Sequence, residues 1–264
     1  MESTQKIYAK LNYDLEIKGV DDEGYHIIRS LVTSIDIFDE ITVRERTDGE
    51  ITLVYTNLRP QVDKINDKAY IAVKAFAREF GEKGYDIIIN KNIPVGGGLG
   101  GSSADIAGVI KCLKEINGLR DSDVLPILES LGSDTVFTYR GGVAEISGRG
   151  NEIKKVCGEK SYFVLAIPPF GVSAKQAYEL YDLNPVKKGN EKYFNALYNG
   201  VAEKFPLLKE IRRKLEESGA EGVSMTGSGS VTFAVYKNEE ERNSAFSSLS
   251  VDGVKFIKAQ SVEL

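Results

Sequence analysis

The 264-residue sequence lacks most features that mark secreted, membrane-embedded and nucleic-acid-binding proteins. Its two cysteines, Cys112 and Cys157, are spaced neither as a metal site nor as a disulfide framework, which predicts reduced thiols. No apolar run reaches the length of a membrane span, and the first residues lack the apolar core of a signal peptide. A net charge of −5 argues against a general nucleic-acid binder, whose surface would be basic. We therefore expect a cytoplasmic protein that binds neither nucleic acid nor membrane.

The remaining composition, 42% hydrophobic and 28% charged, is typical of a globular protein. The length allows one large domain or two lobes with an ample core. Periodicity predicts helices and strands in mixed order: helices near 62–80, 102–117, 203–218 and 238–249, and strands near 161–168 and 230–236. The pattern is interrupted near 150–160. We therefore predict an α+β protein of two lobes, residues 1–152 and 153–264, with the active site in the cleft between them.

The most informative segment is the glycine-rich run at residues 94–107, PVGGGLGGSSADIA. It follows a strand-like run at 85–89 and opens a helix, for which Ser102 or Ser103 is the predicted N-cap. Gly118 stands where a C-terminal glycine belongs. Glycines let the backbone approach a ligand, and helix N-termini favour phosphate. The segment predicts an anion-binding loop rather than a flexible connection.

Two common nucleotide motifs do not fit this loop. No G-x-x-x-x-G-K-[ST] sequence is present, so a P-loop is excluded. Gly96, Gly98 and Gly101 satisfy G-x-G-x-x-G, but Pro94 separates the strand from the glycines. The acid-ended strand expected about twenty residues later is also missing, because the chain there is still helical. A dinucleotide fold is therefore disfavoured.

Other candidate residues each have a structural and a functional interpretation. Alternation along the N-terminal strand puts Lys10 and Asn12 on one face, either a half-solvated edge or a functional surface. Asp134 follows a helical segment and suits an N-cap or turn, or a general base. His26, the only histidine, suits a structural role, and the adjacent Tyr25 offers a ring for stacking.

A second glycine cluster, MTGSGS at 225–230, precedes a predicted strand and suits a tight turn or a second phosphate-facing loop. With it, the sequence resembles the GHMP kinases, whose members include galactokinase and the homoserine, mevalonate and phosphomevalonate kinases. The family's three motifs occur in order, at residues 9–12, 94–103 and 225–230. Four further segments continue the match across the chain: DEGYH at 22–26, GSD at 132–134, GRGNE at 148–152 and GVS at 171–173.

The resemblance implies the two-lobed GHMP kinase fold and an ATP- and Mg²⁺-dependent kinase for a small molecule. Within the family, the motifs are most similar to members that phosphorylate the 2-hydroxyl of 4-diphosphocytidyl-2-C-methyl-D-erythritol, in non-mevalonate isoprenoid synthesis. By this resemblance Asp134 takes the proton of that hydroxyl, and Lys10 lies beside it and stabilises the developing negative charge. Tyr25 and His26 recognise the cytosine.

The resemblance also implies two sets of binding residues. The ATP set is Pro94, Gly96, Gly97, Gly98, Leu99, Gly100, Gly101, Ser102 and Ser103, with Asn66 near the adenosine. The substrate set is Asn12, Tyr25, His26, Ser173, Gly227 and Ser228. Ser103 is also the expected contact for Mg²⁺. Oligomeric state is not predicted.

Three departures from the family pattern leave alternatives open. Thr135 and Val136 replace the usual Val-Pro after the base, residues 195–198 read NALY, and the first glycine segment lacks one usual glycine. The alternatives are a GHMP kinase for another small alcohol or phosphorylated metabolite, or a nucleotide-binding paralogue without catalysis.

Overall fold

The structure, a computed structural model, describes residues 1–263, in which groups of consecutive strands and groups of consecutive helices follow one another. The strands are β1 (Glu2–Asn12), β2 (Glu16–Val20), β3 (His26–Arg46), β4 (Ile51–Tyr55), β5 (Gly84–Asn90), β6 (Val143–Gly148), β7 (Glu152–Lys155), β8 (Tyr162–Ile167), β9 (Gly222–Met225), β10 (Thr232–Tyr236) and β11 (Lys255–Gln260). The α-helices are α1 (Lys68–Phe80), α2 (Gly101–Ile116), α3 (Asp121–Leu131), α4 (Thr135–Arg140), α5 (Ala174–Leu183), α6 (Tyr198–Lys204), α7 (Leu207–Glu217) and α8 (Glu239–Ser248). Among residues 1–263, no helix combines the length and apolar composition needed to cross a membrane.

The described residues form two compact units that interleave along the chain. The first unit comprises Met1–Ala9, Ile37–Val95 and Gly100–Gly141. In it, β5 pairs antiparallel with the second half of β3 and parallel with β4, while α2 packs against α1, α3 and α4. Gly108 lets α2 approach this sheet, because a Cβ there would lie 2.6 Å from the Cδ1 of Ile41.

The second unit comprises Lys10–Asp36, Gly96–Leu99 and Gly142–Leu264. In it, the first half of β3 pairs with β2 and β6, and β6 pairs with β7, all antiparallel. A separate four-stranded antiparallel sheet has the order β11-β8-β10-β9. The inner faces of this sheet and the apolar sides of its helices share one core, which includes Val164, Ala234 and Leu215.

The predicted elements are largely present, with two informative differences. The helix predicted at 203–218 is two helices, because Phe205 ends α6 and Pro206 lies at the N-cap of α7. The helices α4 and α5 have no counterpart among the predicted elements. The boundary between residues 152 and 153 stays a prediction.

Candidate active site

Two glycine loops of the second unit pack backbone against backbone. The first glycine loop is residues 96–99, and the second glycine loop is residues 225–230. Gly98 has a φ of +78°, and a Cβ built on it would lie 2.2 Å from the carbonyl oxygen of Thr226. No side chain fits into that space. The glycine at position 98 is therefore required by the neighbouring loop, whatever ligand the site holds.

The carbonyl groups of the first glycine loop are held by the protein itself. Three of them accept backbone N–H groups at 3.0 to 3.2 Å: Gly96 from Val172, Gly97 from Val231, and Leu99 from Lys10. The peptide bonds of this loop are trans, so the N–H of each following residue points away from these partners. With their carbonyls held by the protein, the N–H groups of this loop can serve as donors to an anion.

The helix α2 begins earlier than predicted. Its N-cap is Gly100, with a φ of 75°, and the helix starts at Gly101. The prediction that Ser102 or Ser103 caps the helix is wrong, because the left-handed turn at Gly100 places both serines inside the first turn. Among the described residues, no side chain caps this end. The first-turn N–H groups and the two hydroxyl groups are thus gathered at one helix N-terminus, which favours phosphate.

Lys10 and Asn12 lie at the end of β1 in the second unit, and both are buried, with 7% and 2% exposure. The interpretation of this face as a half-solvated edge is therefore wrong. The amide Nδ2 of Asn12 donates to the Ser30 Oγ at 2.7 Å, and its backbone N–H donates to the Thr226 Oγ1 at 3.0 Å. Asn12 thereby joins β1 to the second glycine loop.

The turn between β2 and β3 presents Tyr25. The Asp21 carboxylate accepts the backbone N–H groups of Glu23 and Tyr25 at 3.0 and 2.9 Å, which fixes the turn. The Tyr25 ring is 56% exposed, and the Arg149 guanidinium lies 4.3 Å from its centroid. Arg149 is itself paired with Asp21 at 2.6 Å. Tyr25 is therefore an exposed ring in a fixed orientation, supported by a cation.

His26 is enclosed by the helix α5. Its Nε2 lies 2.8 Å from the Asp182 Oδ1, and its ring stacks on Tyr178 with centroids 4.7 Å apart. Tyr181 meets the same ring edge-on at 5.9 Å. The turn and α5 thus gather aromatic rings and hydrogen-bonding groups in one place, a composition suited to a planar heterocycle.

Asp134 belongs to the first unit and immediately precedes α4, where it is half-buried. Its carbonyl accepts the Thr138 N–H at 2.9 Å, so the helix fixes its backbone. The interpretation of Asp134 as an N-cap residue is confirmed for its position at the start of α4, although among residues 1–263 its side chain makes no capping hydrogen bond.

A cavity of about 370 Å³ lies in the first unit beside the predicted adenosine contact. Its lining is mixed apolar and charged: Leu53, Val54, Tyr55, Arg59, Pro60, Val62, Lys64 and Asp67. Asn66 is exposed and ends the short 3₁₀ helix Lys64–Asn66, between two lining residues. Asp67 is buried, caps α1 through the Ala69 N–H and accepts the Tyr55 hydroxyl at 2.8 Å.

The remaining predicted substrate residues lie in the second unit. Ser173 is the N-cap of α5 and accepts the Gln176 N–H at 3.2 Å. Ser228 lies in the second glycine loop, with its Oγ 3.4 Å from the Val172 carbonyl. Gly227 has a φ of +54°, and a Cβ built on it would lie 2.9 Å from the Gly98 carbonyl oxygen. Their binding roles stay predictions.

Comparison with known proteins identifies the family. The family model described as "GHMP kinases N terminal domain" matches residues 67–146, and "GHMP kinases C terminal" matches residues 182–253. The chain belongs to the GHMP kinase family. A 4-diphosphocytidyl-2-C-methyl-D-erythritol kinase of Clostridium beijerinckii is 33% identical over 88% of this chain and 90% of its own length. One of Thermodesulfovibrio yellowstonii is also 33% identical, over 92% of both chains.

Solved structures confirm the predicted GHMP kinase fold. A crystal structure of 4-(cytidine 5'-diphospho)-2C-methyl-D-erythritol kinase superposes with a TM-score of 0.80, at 24% identity, over 98% of this chain and 100% of that chain. The Methanococcus jannaschii mevalonate kinase gives a TM-score of 0.70 at 17% identity, over 100% and 99% of the two chains. At these identities the likeness concerns the fold.

This GHMP kinase also has a buried charged node that the sequence interpretation missed. The Lys91 Nζ lies 2.8 Å from both Asp39 Oδ2 and Asp105 Oδ1, and donates to the Gly101 carbonyl at 3.1 Å. All three side chains are at most 3% exposed. Burial raises the pKa of Asp105 to about 7, against the lowering effect of Lys91. Lys91, the residue after β5, thereby connects the first turn of α2 to β3. The sequence signal for this cluster was a lysine just before the glycine-rich segment.

The substitutions after Asp134 fit the local backbone. Val136 lies in the first turn of α4, where either proline or valine is accommodated. The Thr135 hydroxyl donates toward the carbonyls of Leu128 and Gly132, which ties α4 to α3. These departures therefore give no structural reason to assign a different substrate.

The residues near the start of α2 fit a magnesium ion that takes few of its ligands from the protein. Among the described residues, no group of three or more histidine, cysteine or acidic side chains is placed to hold a metal. Magnesium in kinases is held largely by nucleotide phosphates and water, with one or two protein ligands. The half-buried Ser103 hydroxyl, in the first turn of α2, fits such a contact.

Proposed function

We propose that this GHMP kinase transfers the terminal phosphoryl group of ATP to the 2-hydroxyl of 4-diphosphocytidyl-2-C-methyl-D-erythritol. The observation that carries the proposal is the similarity to kinases of that name, 33% identity across 88% to 92% of this chain. The exposed Tyr25 ring and the aromatic surroundings of His26 support a nucleobase at the substrate's far end.

ATP is bound by two features of the chain. The N–H groups of the first glycine loop and of the α2 first turn supply donors for the phosphate oxygens. The cavity beside Asn66 has the size and mixed lining that a nucleoside needs. Ser103 would hold Mg²⁺, which when bound would supply charge neutralisation at the phosphates.

The reaction needs alignment and charge stabilisation more than covalent chemistry. Asp134 accepts the proton of the attacking hydroxyl. A carboxylate is a weak base for an alcohol, so this transfer comes late, as the new P–O bond forms. The ammonium group of Lys10 lies beside the reacting oxygen and stabilises the negative charge that develops there.

The substrate's cytosine is recognised at the β2–β3 turn. Tyr25 provides a stacking face, and His26 provides a hydrogen-bonding edge held in place by Asp182 and Tyr178. Arg149 supports the Tyr25 ring through a cation–π contact. An alcohol without a cytidyl group makes none of these contacts and is expected to bind poorly.

The test is an ADP-release assay with Mg²⁺-ATP and three alcohols offered separately: the cytidyl-methylerythritol, mevalonate and homoserine. Turnover with the cytidyl compound alone is the expected result. Turnover with another alcohol alone would refute the substrate assignment while keeping the kinase chemistry. Nucleotide binding without turnover on any of the three would favour a non-catalytic paralogue.

A further inference from the structure

A buried asparagine outside the predicted site residues holds the second glycine loop. Asn195 is 6% exposed and lies just before α6. Its Nδ2 donates to the carbonyls of Met225 and Gly227 at 2.6 and 2.8 Å. Its Oδ1 accepts the Leu197 N–H at 2.9 Å. Both amide hydrogens and the oxygen are therefore engaged, which fixes the side chain in one orientation.

The backbone around Asn195 is anchored as firmly as its side chain. The Leu15 N–H donates to the Phe194 carbonyl at 2.7 Å, and the Ala196 N–H donates to the Leu15 carbonyl at 2.9 Å. Asn195 thus sits on a short bridge to the segment that follows β1, within the second unit. Because the backbone and the side chain of Asn195 are both held, Asn195 fixes the position of the loop carbonyls that it binds.

The two carbonyl groups that Asn195 holds determine where the loop's N–H groups point. The peptide bond between Gly227 and Ser228 is trans, so its N–H and C=O point in opposite directions. With the Gly227 carbonyl turned toward Asn195, the Ser228 N–H is turned away from it. Asn195 therefore sets the direction of one backbone donor in the second glycine loop.

We infer that Asn195 is a positioning residue that aims the Ser228 N–H at an anionic group of the alcohol substrate. The inference rests on the proposed function, in which that substrate carries a diphosphate. A carboxylate at position 195 would place an oxygen against two carbonyl oxygens at hydrogen-bonding distance, and the Gly227–Ser228 peptide would turn away. Such misplacement of a binding group lowers rate without removing any group that contacts the substrate.

The test compares Asn195→Asp with a matched asparagine variant, Asn238→Ala. Asn238 is the N-cap of α8 and accepts the Glu241 N–H at 2.9 Å, so its loss lowers stability away from the loops. We expect Asn195→Asp to reduce kcat/KM for the cytidyl substrate by about 10²-fold, with KM for ATP changed less than about 3-fold. Asn238→Ala should lower the melting temperature and leave kcat/KM unchanged.

Hydrogen–deuterium exchange of the peptide covering 225–231 supplies a readout that does not depend on turnover. Faster exchange there in Asn195→Asp, with β8 unchanged, together with the loss in kcat/KM, supports the inference. A variant that only melts earlier, with wild-type kcat/KM and loop exchange, overturns it. Should Asn195→Asp fail to fold, Asn195→Ala removes the same donors without adding charge. Its kcat/KM and the exchange rate of its peptide 225–231 then decide for or against the inference.

Failure of the proposed function is separately visible in the wild type. A wild type inactive on the cytidyl substrate but active on another alcohol refutes the proposed substrate. The kcat/KM comparison is then made with that alcohol, and unchanged kcat/KM in Asn195→Asp still overturns the inference. For a wild type without turnover, the exchange rate of the peptide 225–231 decides whether Asn195 holds the loop.

Discussion

The two glycine-rich segments have similar composition and contact each other, but they lead into different elements and are held by different side chains. The first leads into α2, and Gly100 turns the chain so that the helix N-terminus is presented. The second leads into β10, and its backbone approaches Gly98 so closely that no side chain fits between them. The start of α2 is tied by the charged side chain of Lys91, whereas the second loop is held by the neutral amide of Asn195. The glycine content of a segment therefore does not show whether its glycines serve contact with a ligand or close packing of the backbone.

The largest expected effect is on turnover, in a variant that changes the proposed proton acceptor and neither glycine loop. Asp134→Asn leaves the loop backbones intact but removes the proton acceptor, so turnover should fall by about 10²- to 10⁴-fold. ATP affinity, measured by fluorescence titration with a labelled nucleotide, should stay close to that of the wild type. Turnover within a few-fold of the wild type would remove Asp134 from the proposed mechanism.

Breaking the charged support of α2 should have the next largest effect, and it falls on stability. Lys91→Met leaves Asp39 and Asp105 buried without their ammonium, which costs about 3–5 kcal/mol of the free energy of unfolding. The matched control is Lys114→Met, since Lys114 lies in α2 itself and pairs with Asp121 near the surface. That pair should contribute less than about 1 kcal/mol. Urea unfolding measures the free energy of unfolding of both variants. Equal losses of that free energy would show that the buried ion pairs of Lys91 contribute no more than a surface ion pair.

The contact between the loops is tested by Gly98→Ala against Gly253→Ala. Both glycines have positive φ, +78° and +69°, but a Cβ at Gly253 meets nothing within 4 Å. Backbone strain of about 1–2 kcal/mol is common to both variants, and overpacking adds about 1–3 kcal/mol only at Gly98. Gly98→Ala should also weaken ADP binding by about tenfold or more. Equal stability and equal ADP affinity in the two variants would mean that the loop contact relaxes at little cost.

The parts of this picture that were predictable from sequence are those set by local pattern. The strand at 85–89, the helix α2 and the position of Gly118 after it follow from periodicity and glycine placement. The burial of Lys10 and Asn12 was not predictable, because it comes from groups such as Thr226 that are distant in sequence. The ion pair of Lys91 and the contacts of Asn195 were missed for the same reason. The left-handed turn at Gly100, a local feature, places the start of α2 ahead of the serines.

The smallest expected effect concerns a contact outside both loops, at the nucleobase end of the proposed substrate. Arg149→Ala removes the cation beside the exposed Tyr25 ring, a contact worth about 0.5–1 kcal/mol. KM for the cytidyl substrate should therefore rise about 2- to 5-fold, while KM for ATP stays unchanged. Arg212→Ala is the control, since Arg212 makes a similar contact with Tyr198 at 4.8 Å. A rise in both KM values, or an equal rise in the control, would mean that Arg149 acts on general stability and not through Tyr25.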